Sequence, residues 1–180
     1  MAHVPSHRRL ASGDAALCLL ANSWCGRSRW RHGFALVSRL GDGPGWYALM
    51  ALLVLADGLD GLAVSLRLAL TGVVTLAIYR AMKRWTRRPR PFASDQRIRA
   101  WVAPLDEFSF PSGHTLHAVA FTTVTLAFYP LLAWVLVPFT AAIAVSRVVL
   151  GLHYPSDVLV ALALGLMLGG LGIWLVPTLV

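Results

Sequence analysis

Residues 62–82 read LAVSLRLALTGVVTLAIYRAM and run directly into KRWTRRPRP at 83–91. An apolar helix needs about 20 residues to cross the hydrocarbon core of a bilayer. The first stretch meets that length with only Arg67 and Arg80 as charges. Arg67 lies near its start and is expected to snorkel toward the Asp57/Asp60 end. The second stretch places Lys83, Arg84, Arg87, Arg88 and Arg90 in a segment stiffened by Pro89 and Pro91. A membrane helix that ends on a rigid cationic strap frames the rest of the chain.

Composition agrees with that frame. The chain has 180 residues, 57% hydrophobic and only 13% charged, with a mean hydropathy of +0.66. A soluble domain carries about 25% charged residues. Before the strap, GDGPG at 41–45 punctuates the chain, WYALMALLVLA at 46–56 begins a short span, and DGLDG turns it. After it, apolar helices are expected from His114, from 131 after a break at Pro130, and from Pro155 to about 178. The fold expected is all-α, a polytopic bundle of about five membrane helices. Residues 44–180 form its membrane-embedded domain, with active-site loops at 83–114 and 146–157. Gly165 and Gly169 have the spacing that lets two helices approach closely. Residues 1–43 alternate short apolar and basic stretches and read as interfacial amphipathic helices, with tryptophans at headgroup level. They contain no clear cleavable signal peptide.

The formal net charge is +8. Seven of the 16 basic residues fall between Lys83 and Arg99, and six more precede residue 40. Such a balance suits nucleic acid, anionic lipid or a phosphorylated substrate. Nucleic acid is disfavoured, because the cluster is flanked by membrane segments and no recognition motif accompanies it. Cys18 and Cys25 are expected to be buried free thiols.

Alternating spans bring three polar stretches to one membrane face: the strap, FPSGHTLH at 110–117 and SRVVLGLHYPSD at 146–157. Ionisable residues among valines and leucines at membrane depth are costly and usually functional. Pro-Ser-Gly ahead of an apolar run marks a helix start, with Ser112 as N-cap. The free N–H groups of such a terminus suit phosphate oxygens, and His114 stands beside them. Pro155 suits a first helical turn, which puts His153 just before that helix and Asp157 inside its opening turn. An aspartate there can take one imidazole proton and leave the other nitrogen reactive. Arg147 can fork two phosphate oxygens, and Lys83 and Arg90 add fixed cations. Arg84, Arg87, Arg88, Arg97 and Arg99 read more simply as a patch for anionic headgroups.

Lys83-x6-Arg90-Pro91, Pro111-Ser112-Gly113-His114 and Ser146-Arg147-x5-His153-x3-Asp157, in that order, resemble the three-part signature of the type 2 phosphatidic acid phosphatase superfamily. No signature position departs from it. The resemblance implies that His153 attacks phosphorus to form a phosphohistidine and that Asp157 orients it. It implies that His114 protonates the leaving oxygen and later activates water. Lys83, Arg90, Arg147, Ser112 and the Gly113 backbone would bind the phosphoryl oxygens. Neither metal nor cofactor is implied, since cations fill that role. The superfamily also holds vanadium haloperoxidases, mostly soluble and much larger, so the chain looks like its bacterial membrane branch.

The activity implied is a lipid-phosphate phosphohydrolase acting on phosphatidic acid, phosphatidylglycerophosphate, an isoprenyl diphosphate or a phosphorylated lipid A. The alternative is a non-enzymatic membrane protein whose basic loop binds anionic lipid or a partner. A zinc site on His114 and His117 with His153 and Asp157 is a rival for the site itself, although His117 faces an apolar helix and reads as structural. A transporter is a third class, without the inverted repeat expected of one. Relatives with this signature usually act on the outer side of the inner membrane, which implies a periplasmic site, whereas the positive-inside rule places an arginine-rich face in the cytoplasm. The loop 92–110 is expected to cover the site, with Trp101 and Phe108 near the lipid tail. Oligomeric state is open.

Overall fold

The computed structural model describes residues 6–174, with side chains from 13 onward. Seven α-helices follow in order: α1 (Ser6–Ser23), α2 (Ser28–Leu40), α3 (Pro44–Thr86), α4 (Pro91–Ser94), α5 (Gly113–Phe128), α6 (Ala133–Val149) and α7 (Pro155–Gly172). Single 3-10 turns at Trp24–Gly26 and Pro130–Leu132 link α1 to α2 and α5 to α6. The expected final span thus ends inside the described residues at Gly172, and 175–180 lie outside them.

The long α3 is folded back on itself. Gly58 breaks it with φ 53° and ψ −119°, a conformation glycine adopts at little cost. Gly61 then lies so close to the Leu53 backbone that a Cβ would stand 1.9 Å from its carbonyl oxygen. Ser65 Oγ donates to the Met50 carbonyl at 3.1 Å, joining the two arms. This is the turn expected from DGLDG.

Helix α5 occupies the centre of the bundle. Leu116, Ala118, Ala120 and Val124 are fully buried, and Phe121 meets the Trp46 ring of α3 edge-on at 5.3 Å. Its threonines are satisfied inside the bundle: Thr122 and Thr140 share a hydrogen bond of 2.7 Å to α6, and Thr125 Oγ1 donates to the Phe121 carbonyl at 2.8 Å. On the α7 side, Gly165 and Gly169 remove any side chain between the two backbones. A Cβ on either would fall 2.7 Å from Val119 or Thr123. Close helix contact is therefore what the Gly165-x-x-x-Gly169 spacing provides.

Among the described residues, three helical stretches are long and apolar enough to cross a membrane: Pro44–Ser94, Pro130–Val149 and Pro155–Gly172. The expected count of about five adds the two arms of α3 separately and the 16-residue α5, which at about 1.5 Å per residue is shorter than a bilayer core. The outer surface is apolar, with Leu55 and Leu59 largely exposed. Trp85 lies at the end of the bundle that carries the polar stretches, and Trp134 and Trp174 lie at the other, all highly exposed. Tryptophans at both ends fit a bilayer with two interfaces.

One expectation changes here. Arg67 points to the expected end of the bundle, where the neighbouring Tyr129 bonds Asp57, but its guanidinium does not reach water. It is buried, donates from Nε to the Ile173 carbonyl at 3.3 Å and stacks on Phe128 at 4.8 Å. The ends of α7 and α5 pack against it. Residues 13–43 also contact the bundle. Leu17, Leu20, Trp24, Trp30 and Leu36 are exposed, but Asn22 bridges the Arg99 and Val149 carbonyls at 3.0 Å each. Cys18 and Cys25 are buried and free, as expected.

Candidate active site

Each predicted cation and histidine is brought to the same end of the bundle by a helix terminus. Lys83 closes α3, Arg90 precedes α4, Gly113 and His114 open α5, and Arg147 closes α6. His153 sits in the short link to α7, where its N–H and that of Leu152 both bond the Arg147 carbonyl at 3.1 Å. These six residues line a single cavity of about 430 Å³. The cavity continues along α3 over Trp46, Met50, Val73 and Leu76, so one end is cationic and the other apolar. The loop expected to cover the site contributes Leu105 and Asp106. Trp101 instead packs with Val149 and Leu150, away from the cavity. Phe108 reaches the site through its carbonyl, which accepts from Lys83 Nζ at 2.9 Å.

The His153 ring has a defined tautomer. Its Nδ1 lies 2.6 Å from the Ser109 carbonyl oxygen. A carbonyl only accepts, so Nδ1 carries the proton and Nε2 the lone pair. Arg90 Nη1, a donor, lies 3.3 Å from Nε2 and requires the same assignment. His153 is buried. Burial, followed by the charges of Arg147, Arg90 and Lys83, holds its pKa well below the ordinary value. The ring is therefore neutral at physiological pH, with a nucleophilic nitrogen available.

Asp157 takes a different place from the one expected. Its Oδ2 is 3.7 Å from His153 Nδ1, beyond a hydrogen bond. Oδ2 instead accepts from the Tyr154 N–H at 2.8 Å, at the start of its own helix. Oδ1 pairs with Arg88 at 2.6 Å. Arg88 is thus no headgroup contact: it joins Asp157 to Asp14 of α1, at 2.7 Å, and stacks on Tyr154. Asp14 also accepts from the Ser156 backbone and hydroxyl. Arg84 and Arg87 are exposed, Arg97 pairs with Asp95 at 2.7 Å, and Arg99 lies over Trp101.

Ser112 holds the N-cap position of α5 without a capping bond. Its hydroxyl pairs with Thr115 Oγ1 at 3.0 Å, and the side chain is fully buried outside the cavity lining. Thr115, at the third helical position, offers a nearer partner than the backbone. His117 also lines the cavity, and its ring nitrogens face the Gly113 carbonyl at 2.9 Å and the Gly72 carbonyl at 3.3 Å.

Asp106 was not foreseen. Its carboxylate receives Lys83 Nζ at 2.6 and 2.8 Å and Arg90 Nη2 at 2.7 Å. Burial pushes the Asp106 carboxyl up, but Lys83 and Arg90 outweigh it and hold the group below its ordinary pKa. An acidic residue within a strongly basic membrane-flanked loop was the available signal. Arg147 is buried, with Nη1 on the Ser38 hydroxyl and Nε without a partner among the described residues. Asp42 places Oδ1 3.4 Å from His114 Nε2.

Helical bundle and site together define a membrane protein that gathers cations and two imidazoles at the edge of the bilayer. The family description "PAP2 superfamily" matches residues 61–180, and the chain belongs to that family. It is 33% identical over 129 residues to the undecaprenyl-diphosphatase BcrC of Bacillus subtilis (strain 168), covering 68% of this chain and 66% of that protein. The match therefore spans just under two-thirds of that relative. It is 35% identical over 153 residues to the decaprenylphosphoryl-5-phosphoribose phosphatase of Mycolicibacterium smegmatis, covering 81% of this chain and 78% of that one. The crystal structure of a transmembrane PAP2-type phosphatidylglycerolphosphate phosphatase from Bacillus subtilis superposes with a TM-score of 0.72 at 23% identity, over 91% of this chain and 84% of that chain. The protein is an integral membrane protein of this fold.

Proposed function

We propose that the chain is a lipid-phosphate phosphohydrolase that works through a phosphohistidine. One observation carries the reading: His114, His153, Lys83, Arg90 and Arg147 face one cavity whose far end is apolar. A phosphate headgroup fits the first end and a bilayer-anchored tail the second. His153 Nε2 attacks phosphorus as the bond to the lipid oxygen breaks. His114 gives that oxygen its proton. Water then attacks phosphorus, the N–P bond breaks, and His114 takes the proton from the water. Lys83, Arg90, Arg147 and the Gly113 backbone stabilise charge on the phosphoryl oxygens, the main requirement of this transfer. Asp157, 3.7 Å from Nδ1, supports the imidazolium side electrostatically.

The substrate class is a membrane lipid phosphate or diphosphate. A polyprenyl carrier is favoured by the two relatives, an undecaprenyl-diphosphatase and a decaprenylphosphoryl-5-phosphoribose phosphatase. The location proposed is a bacterial inner membrane with the site toward the periplasm. The test is phosphate release from a panel of polyprenyl and diacyl lipid phosphates by detergent-purified protein in EDTA. Release is expected with wild type and lost in His153→Ala and His114→Ala. Full turnover by His153→Ala ends this mechanism.

A further inference from the structure

We propose that Asp42 is a positioning residue for His114: its carboxylate faces Nε2 of that ring at 3.4 Å, orients the ring and favours its protonated form, the form that gives a proton to the leaving oxygen. The proposal rests on the phosphohydrolase reading above and extends it to a part of the chain that the family match, which begins at residue 61, does not include.

The turn that presents Asp42 is built rather than loose. Gly41 N bonds the Val37 carbonyl at 3.0 Å, and Trp46 Nε1 donates to the Gly41 carbonyl at 3.1 Å. A Cβ on Gly41 would lie 2.6 Å from Ile143 Cδ1, so the turn rests directly on α6, one helical turn before Arg147. Gly43 follows with φ 137°, which only glycine holds easily. The same stretch supplies Ser38, whose hydroxyl receives Arg147 Nη1. Two side chains within five residues of α2 and its turn thus reach two members of the site.

A role in helix capping does not account for Asp42. Helix α3 starts at Pro44 with no side-chain capping bond. The carboxylate lines the cavity beside His114 instead. The other charged or titratable groups that act on His114 are Arg147 of α6, His153 of the α6–α7 link, His117 of α5 and Lys83 of α3. The two permanent charges among them are positive and oppose a protonated ring. Asp42, itself also near Arg147 and His117, is the one carboxylate in ion-pair range of His114 among the described residues. It offsets those cations when His114 must carry a proton. In the first half-reaction the P–O bond to the lipid breaks as the His153 N–P bond forms, and the His114 proton goes to the leaving oxygen. In the second, the water O–P bond forms, the N–P bond breaks, and a water proton returns to His114.

The experiment compares wild type, Asp42→Asn, Asp42→Glu and His153→Ala with the lipid phosphate that wild type hydrolyses fastest, recording kcat and KM from pH 5 to 9. Asp42→Asn is expected to lower kcat at neutral pH roughly tenfold to a hundredfold with little change in KM. The alkaline limb of its kcat profile should move toward acid by roughly one pH unit, because the ring loses an opposite charge. Asp42→Glu should recover most of kcat and the wild-type limb. An unmoved limb in Asp42→Asn overturns the inference. So does an Asp42→Glu variant as slow as Asp42→Asn, which is also how a purely structural turn or a folding defect would present. Failure of the underlying reading looks different: wild type releases no phosphate, or His153→Ala matches it.

Discussion

The Nδ1–H of His153 is held by the carbonyl of Ser109 at 2.6 Å, across 44 positions of sequence. Ser109 is in turn pinned to the cationic strap, its N–H on the Arg88 carbonyl at 2.9 Å and its hydroxyl on the Pro89 carbonyl at 3.1 Å. The proposed nucleophile is thus oriented by a backbone atom, with a carboxylate behind it rather than in contact.

That arrangement predicts a moderate effect for Asp157→Asn. Where a carboxylate alone selects the tautomer of a catalytic histidine, the amide costs about 10⁴ in kcat. Here Ser109 selects it, so Asp157→Asn is expected to lose no more than about 10²-fold. A phosphohistidine should still be trapped by rapid acid quench. A loss as complete as that of His153→Ala would show that Asp157, and not Ser109, sets the tautomer.

Asp106 pairs with Lys83 and Arg90, two of the cations proposed to bind phosphate. Asp106→Asn frees both cations and is expected to tighten inhibition by inorganic phosphate and by orthovanadate, roughly tenfold for each about 1.4 kcal/mol released. Inhibition titrations of wild type and variant decide it. Weaker binding by the variant would mean that Asp106 arranges the cations instead of blocking them.

The Asp106 contact also has a pH signature. Its pKa in the fold is lowered, so its stabilising effect is fully present above the ordinary carboxylate value of about 3.9 and is lost as pH falls through the lowered one. The gap in Tm between wild type and Asp106→Asn should be constant from pH 7 to 5 and close only at the acid end. A gap that closes near pH 6 would implicate a histidine.

Arg88→Ala should behave unlike its neighbours. It leaves the fully buried Asp157 carboxylate without its cation, and breaking a buried pair costs about 3–5 kcal/mol. Arg88 is 28% exposed, so a value near or below the lower end is expected, read as a fall in Tm with a fall in kcat. Arg84→Ala and Arg87→Ala, on exposed residues, should change neither. Equal effects from all three would return Arg88 to the headgroup patch.

Gly165→Val tests the α5–α7 contact. Replacing an exposed helical glycine usually stabilises, but a side chain here meets Val119 at 2.7 Å and the Leu116 carbonyl at 2.9 Å. Overpacking of that kind costs about 1–3 kcal/mol. Thermal unfolding in detergent should show the loss, and an unchanged Tm would mean the helices separate there freely.

Much of this protein was legible along one dimension. The 62–82 run, the fold-back at DGLDG and the break at Pro130 follow from apolar run length and glycine or proline chemistry, which are local. The meeting of Lys83, Arg90, His114, Arg147 and His153 followed from counting helix reversals. Arg67 was misread because its stacking partner Phe128 and its acceptor Ile173 belong to helices that sequence spacing does not connect. Ser112 was misread because one hydroxyl, on Thr115, replaced the backbone as its partner.

Membrane class, the central place of the three polar stretches and the identities of the cations and imidazoles are readable along the chain, because hydrophobic burial and charge avoidance act on each segment separately. The atom that holds each of them emerges only from packing: Ser109 on His153, Arg88 on Asp157, Asp106 on Lys83 and Arg90, Ser38 on Arg147. Those are pairings over tens of residues, set by how helix ends pack within a few ångströms, and a carbonyl or lone carboxylate leaves no pattern of its own in the chain.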